Sequence, residues 1–193
     1  MKRHGLPLNV AAILIPAQAY AHAGIEEAGL MAGMLHPLSG LDHLLAMLAV
    51  GIISAIMGGA SIWRAPAVFV AAMAAGAAVG MATGATLLVE KGITLSVILL
   101  GAAIAWGGFE RIGRAVYCSV FAFGLCHGYA HGVELPNNAS PLLYSLGFLV
   151  VTVFIHVCGI FVGELALEAS WRRLVLRICG AGMAGAGVWI AWA

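Results

Sequence analysis

Charge is what this chain has least of. Only 9% of its 193 residues are Asp, Glu, Lys or Arg, against roughly 25% in soluble domains. A soluble fold this poor in charge would have no surface to present to water. The net charge of +1 and the lack of any basic run beyond Arg172-Arg173 leave nothing for nucleic acid to bind. The four cysteines (Cys118, Cys126, Cys158 and Cys179) fall in apolar stretches without a CxxC pair. They read as small buried hydrophobes, not as a disulfide framework. No Gly-Lys-Ser/Thr phosphate loop is present, so the chain does not itself hydrolyse ATP, and no His-Glu-x2-His run marks a zinc protease.

What it does have is hydrophobicity: 63% apolar residues and a mean hydropathy of +1.04. The class is an all-α, polytopic membrane protein set in a lipid bilayer. Residues 1–23 carry Lys2 and Arg3, a short apolar run from Leu6 to Ile15, and small-x-small sites at Ala19-Tyr20-Ala21 and Ala21-His22-Ala23. That pattern predicts a signal peptide cleaved after Ala21 or Ala23. Cleavage after Ala21 would leave His22 as the terminal residue, whose amine and imidazole could clamp a metal.

Residues 24–193 then form one transmembrane domain. Six apolar runs, near 37–57, 65–89, 92–109, 112–132, 140–163 and 174–192, are each long enough to cross about 30 Å of hydrocarbon at about 1.5 Å per residue. Backbone groups in lipid must be bonded internally, so these runs are helices. Twenty-six glycines suit close helix contacts, as in Gly76-x3-Gly80-x3-Gly84.

A cleaved leader puts the mature start in the periplasm. The first, third and fifth connections then face the cytoplasm, carrying Arg64, Arg111, Arg114, Arg172, Arg173 and Arg177, while the outward connections carry only Lys91. This six-to-one bias agrees with the leader. The expected location is the bacterial inner membrane, with both mature termini periplasmic.

In that orientation the polar residues collect on one side. "HPLSGLDH" (36–43) opens the first run and "HGYAHGVE" (127–134) closes the fourth, both at outer ends. On a helix His127, His131 and Glu134 share a face, as do His36 and His43, seven apart. Pro37 suits a first helical turn. Asp42, beside His43, cannot share its direction, and either ligates an ion or orients an imidazole on a neighbouring helix. Gly128 and Gly132 leave room for another helix or a substrate. Imidazole and carboxylate without thiolate suit divalent nickel, cobalt or zinc.

Taken singly these residues have plainer readings. A lone histidine near a helix end is usually interfacial, and Glu134 alone is a solvated loop acid. Glu90 beside Lys91 reads as an exposed ion pair that the second helix could instead deliver to the site. Glu164 and Glu168 read as partners of Arg172 and Arg173. His156, in mid-span, reads as part of a path through the bundle, with a packing role as the alternative.

"HPLSGLDHLLAMLAVG" (36–51) together with "HGYAHGVE" resembles the hydrogenase/urease accessory membrane proteins of the HupE/UreJ family over essentially the whole chain. The resemblance implies a secondary permease for nickel serving hydrogenase or urease maturation, with maturation proteins as downstream partners. The family's motif residues match His36, Asp42, His43, His127, His131 and Glu134, with His22, Glu90 and His156 as possible additions. Ni²⁺ is then cargo, with Co²⁺ or Zn²⁺ also possible, and no cofactor is permanently bound. A membrane-embedded zinc hydrolase and a haem-binding electron carrier are the other readings of the same histidines.

Overall fold

The computed structural model describes residues 25–84, 89–107 and 113–192. The expected signal peptide, with His22, lies outside them. Seven helices make up the described residues: α1 (Ile25–Ser39), α2 (Leu41–Met57), α3 (Ser61–Thr83), α4 (Val89–Trp106), α5 (Gly113–Val133), α6 (Pro141–Leu167) and α7 (Ser170–Trp192). The chain is a multi-pass helical membrane protein. α3, α4, α6 and α7 are each long and apolar enough to cross a bilayer, and the bent pair α1–α2 makes a fifth candidate. α5 has the length but not the apolarity, because His127, His131, Arg114 and two tyrosines dilute it.

The expected first span differs from the real one. Instead of opening a single helix, His36-to-His43 straddles a break at Gly40, where α1 and α2 meet at 81°. Gly40 is extended (φ −97°, ψ 115°). A continuous helix would give the His36 carbonyl a backbone partner at Gly40; the Ser39 hydroxyl donates to it instead, at 2.7 Å. Pro37 therefore sits in the last turn of α1, not the first turn of a span. A Cβ on Gly40 would lie 2.8 Å from His43 Nδ1 and 3.0 Å from Asp42 Oδ1, so any larger residue there must displace these two side chains.

Helix contacts run through glycines. Gly76 and Gly80 of α3 abut the α5 backbone at Leu125 and Tyr129, and Gly124, Gly128 and Gly132 of α5 abut α3 at Phe69, Met73 and Ala77. Gly51 meets Gly159 between α2 and α6, and Gly101 meets Gly180 between α4 and α7. Lipid gives helices no hydrophobic reason to associate, so backbone approach supplies the packing. Gly84 is not part of the stripe: it caps α3 at φ +68°, the left-handed conformation glycine tolerates.

Polarity is inverted relative to a soluble fold. Phe154, Phe161, Ile178 and Trp189 are exposed on the outside, while His127, His131, Thr152 and His156 are buried within. Exposed tryptophans mark both ends of the bundle: Trp63, Trp106 and Trp171 at one, Trp192 at the other, as in interfacial belts. All four cysteines are free thiols.

Candidate metal centre

Two distant segments meet at the end of the bundle away from Trp63. His36 comes from the last turn of α1, His43 from the first turn of α2, and His131 from the last turn of α5. One ligand atom from each lies within 4.8 Å of the others. The break at Gly40 makes this possible. On one continuous helix His36 and His43 would stack two turns apart, whereas across the bend their rings come to 6.0 Å.

The remaining motif residues hold these rings. The His43 backbone N–H donates to Asp42 Oδ1 at 2.8 Å, and His43 Nδ1 lies 2.9 Å from the same oxygen. This corrects the expectation that Asp42 serves a histidine elsewhere: it orients its own neighbour. Nδ1–H donates to the carboxylate, which fixes the tautomer and leaves the His43 Nε2 lone pair free, as in carboxylate–histidine–metal arrangements. His36 Nε2 lies 2.8 Å from Glu134 Oε2, one residue beyond the end of α5. Glu134 therefore faces His36 instead of continuing a stripe with His127 and His131. That hydrogen bond holds its carboxyl below the ordinary glutamate range, against the opposing effect of partial burial.

His127 lies one ring deeper, outside the triad, at 5.2 Å from His43. Its Nδ1 donates to the Phe123 carbonyl at 2.8 Å. A carbonyl only accepts, so the proton is on Nδ1 and Nε2 carries the free lone pair. Side-chain exposure falls from 29% at His36 to 12% at His43 and to nothing at His131 and His127. His36 is therefore the mouth and His127 the floor.

His43 Nε2, His127 Nε2 and both nitrogens of His131 are buried without a hydrogen-bond partner among the described residues. Each such group costs about 1–3 kcal/mol. One His131 nitrogen carries its proton, so these four atoms offer three lone pairs, one from each ring, that can coordinate an ion. Metal–nitrogen bonds of about 2.1 Å place tetrahedral ligands about 3.4 Å apart, inside the 4.8 Å that bounds the ligand atoms of His36, His43 and His131.

Of the other expected residues, Glu90 is exposed at the start of α4. It lines a shallow pocket with Tyr129, Ala130, Val133 and Glu134. It shares that pocket with Glu134, and no ion pair joins it to Lys91 among the described residues. Glu168 bonds Arg172 at 2.5 Å, as expected of it. Arg173 instead donates to the Leu167 carbonyl, and Glu164 joins neither arginine. His156 is buried, well away from the triad.

The sequence reading overlooked the α6 wall of the site. Tyr144, Phe148, Thr152 and His156 are spaced by four, and all are buried on one face. Phe148 stacks on His131 (4.8 Å, 13°), and Tyr144 lies 6.1 Å from His36. The four-residue spacing running into His156 was the signal for this wall. Phe69, against both His127 and His156, had none.

The family described as HupE / UreJ protein matches residues 10–190. Protein HupE of Rhizobium leguminosarum bv. viciae is 39% identical over 191 residues, 97% of either chain. No solved structure matches.

Proposed function

This chain belongs to the HupE/UreJ family, and from that premise we propose that it is a secondary permease for a divalent transition metal. Ni²⁺ is the first cargo, moving from periplasm to cytoplasm to supply hydrogenase or urease maturation. The observation that carries this is the convergence of His36, His43 and His131 from three helices within 4.8 Å. They are backed by Asp42 and Glu134 and graded in exposure from mouth to floor.

A hydrated ion meets Glu90 and Glu134 first, then exchanges waters for imidazole nitrogens. Three neutral imidazoles without thiolate suit borderline divalent ions. Binding must stay weak enough for release, as conduction requires. α5, too polar to qualify by itself as a span, serves as the sixth crossing, with one face packed along α3. The cleaved leader and the arginine-rich inner loops set the direction.

The haem reading loses support from the geometry. Neighbouring rings at 4.8–5.2 Å leave no gap for a macrocycle between two axial ligands. A zinc hydrolase would keep its ion through dialysis, whereas a permease loses it.

The direct test is uptake of radioactive nickel into metal-starved cells, with cobalt and zinc as competitors. Asp42→Ala, His43→Ala and His131→Ala should each abolish uptake while the protein remains in the membrane. Normal uptake in all three removes the proposal.

A further inference from the structure

Beyond the floor of the outer cluster, a file of rings continues inward. His36, His131, His43 and His127 follow one another at centroid separations of 4.8, 5.1 and 5.2 Å. His127 then meets Phe69 at 5.3 Å, and Phe69 meets His156 at 5.1 Å. Phe69 is wholly buried. One phenyl ring thus stands between the last imidazole of the outer cluster and a fifth imidazole.

His156 is costly where it is. It is 1% exposed, and neither ring nitrogen has a hydrogen-bond partner among the described residues. It lies twelve residues along α6 from Tyr144, about 18 Å at about 1.5 Å per residue. Ionisable groups at such depth face a bundle interior or an aqueous path. A simple packing role would be filled more cheaply by leucine, since burying an unpaired polar group costs about 1–3 kcal/mol.

A half-open groove of about 210 Å³ between α3 and α6 reaches His156 toward the Trp63 end, lined by Pro66, Ala67, Val70 and Ile160 and by the exposed Trp63, Val153 and Val157. Apart from His156 and the Trp63 indole, that lining is apolar. An ion at His156 meets one imidazole and no second side-chain ligand from this groove, and so is held briefly.

We infer that His156 is a second ion-binding station, separated from the outer cluster by the Phe69 ring, which takes the ion on its way inward. This rests on the permease reading. It assigns separate work to the two sites: capture belongs to the outer cluster, and transfer through the bundle belongs to His156.

The test uses full-length protein and Ni²⁺ alone. Equilibrium dialysis measures binding, and a trapped chelating dye measures entry into proteoliposomes. His156→Leu should bind Ni²⁺ within about twofold of the parent but admit it at least about tenfold more slowly, and His156→Cys, which restores a ligand, should recover much of the rate in reducing buffer. Parental entry by His156→Leu overturns the inference. So does equal slowing in both variants with binding intact, which assigns His156 to packing. Loss of outer binding in His156→Leu also overturns it, since the two sites would then be one. No Ni²⁺ entry with the parent protein would instead defeat the permease reading itself.

Discussion

His36 Nε2 and Glu134 Oε2 meet at 2.8 Å, linking the last turn of α1 to the residue just past α5. The contact joins the two motifs directly, though they lie 98 positions apart in the sequence. It also fixes α1 over the mouth of the cluster.

Glu134→Gln tests that contact. It keeps an acceptor but removes the charge that holds and orients the His36 ring. Nickel affinity should fall by about 10–100-fold, the usual cost of losing such a partner. Equilibrium dialysis checks it, and unchanged affinity would show that Glu134 does not act through His36.

Asp42→Asn should weaken binding by a similar factor of about 10–100, for a different reason. An amide can offer its NH₂ to Nδ1 and favour the tautomer with the proton on Nε2, the wrong nitrogen for a ligand. Titration with Co²⁺, read by its visible absorption, measures the loss.

Acid should act on the same contact. The folded pKa of Glu134 lies below its ordinary value. Its stabilising contribution is therefore complete above the ordinary glutamate range and is lost as pH falls through the lowered folded value. The difference in melting temperature between parent and Glu134→Gln should be full near neutrality and shrink in acid. A difference that grows in acid contradicts this sign.

Glycines give a paired test of the packing. A Cβ on Gly128 would strike the Met73 backbone, whereas one on Gly182 meets nothing within 4 Å. Gly128→Ala should force α3 and α5 apart, costing about 1–3 kcal/mol as overpacking does, with uptake lost. Gly182→Ala should be neutral or stabilising by up to about 1 kcal/mol through helix propensity. Thermal unfolding in detergent compares them.

Topology is checked separately. Alkaline phosphatase, active only in the periplasm, should be active when fused after Ala193 and inactive when fused within the Arg172-Arg173 connection. The reverse pattern overturns the inward direction of transport.

The composition and the two polar segments were enough to mark a helical membrane protein with its histidines and carboxylates gathered at one end. Few charges and long apolar runs allow no other class, and histidines are too costly in such runs to be incidental. Local sequence could not reveal that Gly40 breaks the first span. Glycine weakens a helix by only about 1 kcal/mol relative to alanine, and this chain carries many glycines inside helices, so Gly40 by itself did not mark the bend. Nor could it divide six polar residues into a triad, two carboxylates that orient it and a deeper imidazole. That division depends on which side chains meet across α1, α2 and α5, and distances between separate helices are set by backbone packing at glycines such as Gly128 and Gly132. The α6 wall became meaningful for the same reason: a four-residue spacing names a face, and only the tertiary structure says what that face touches.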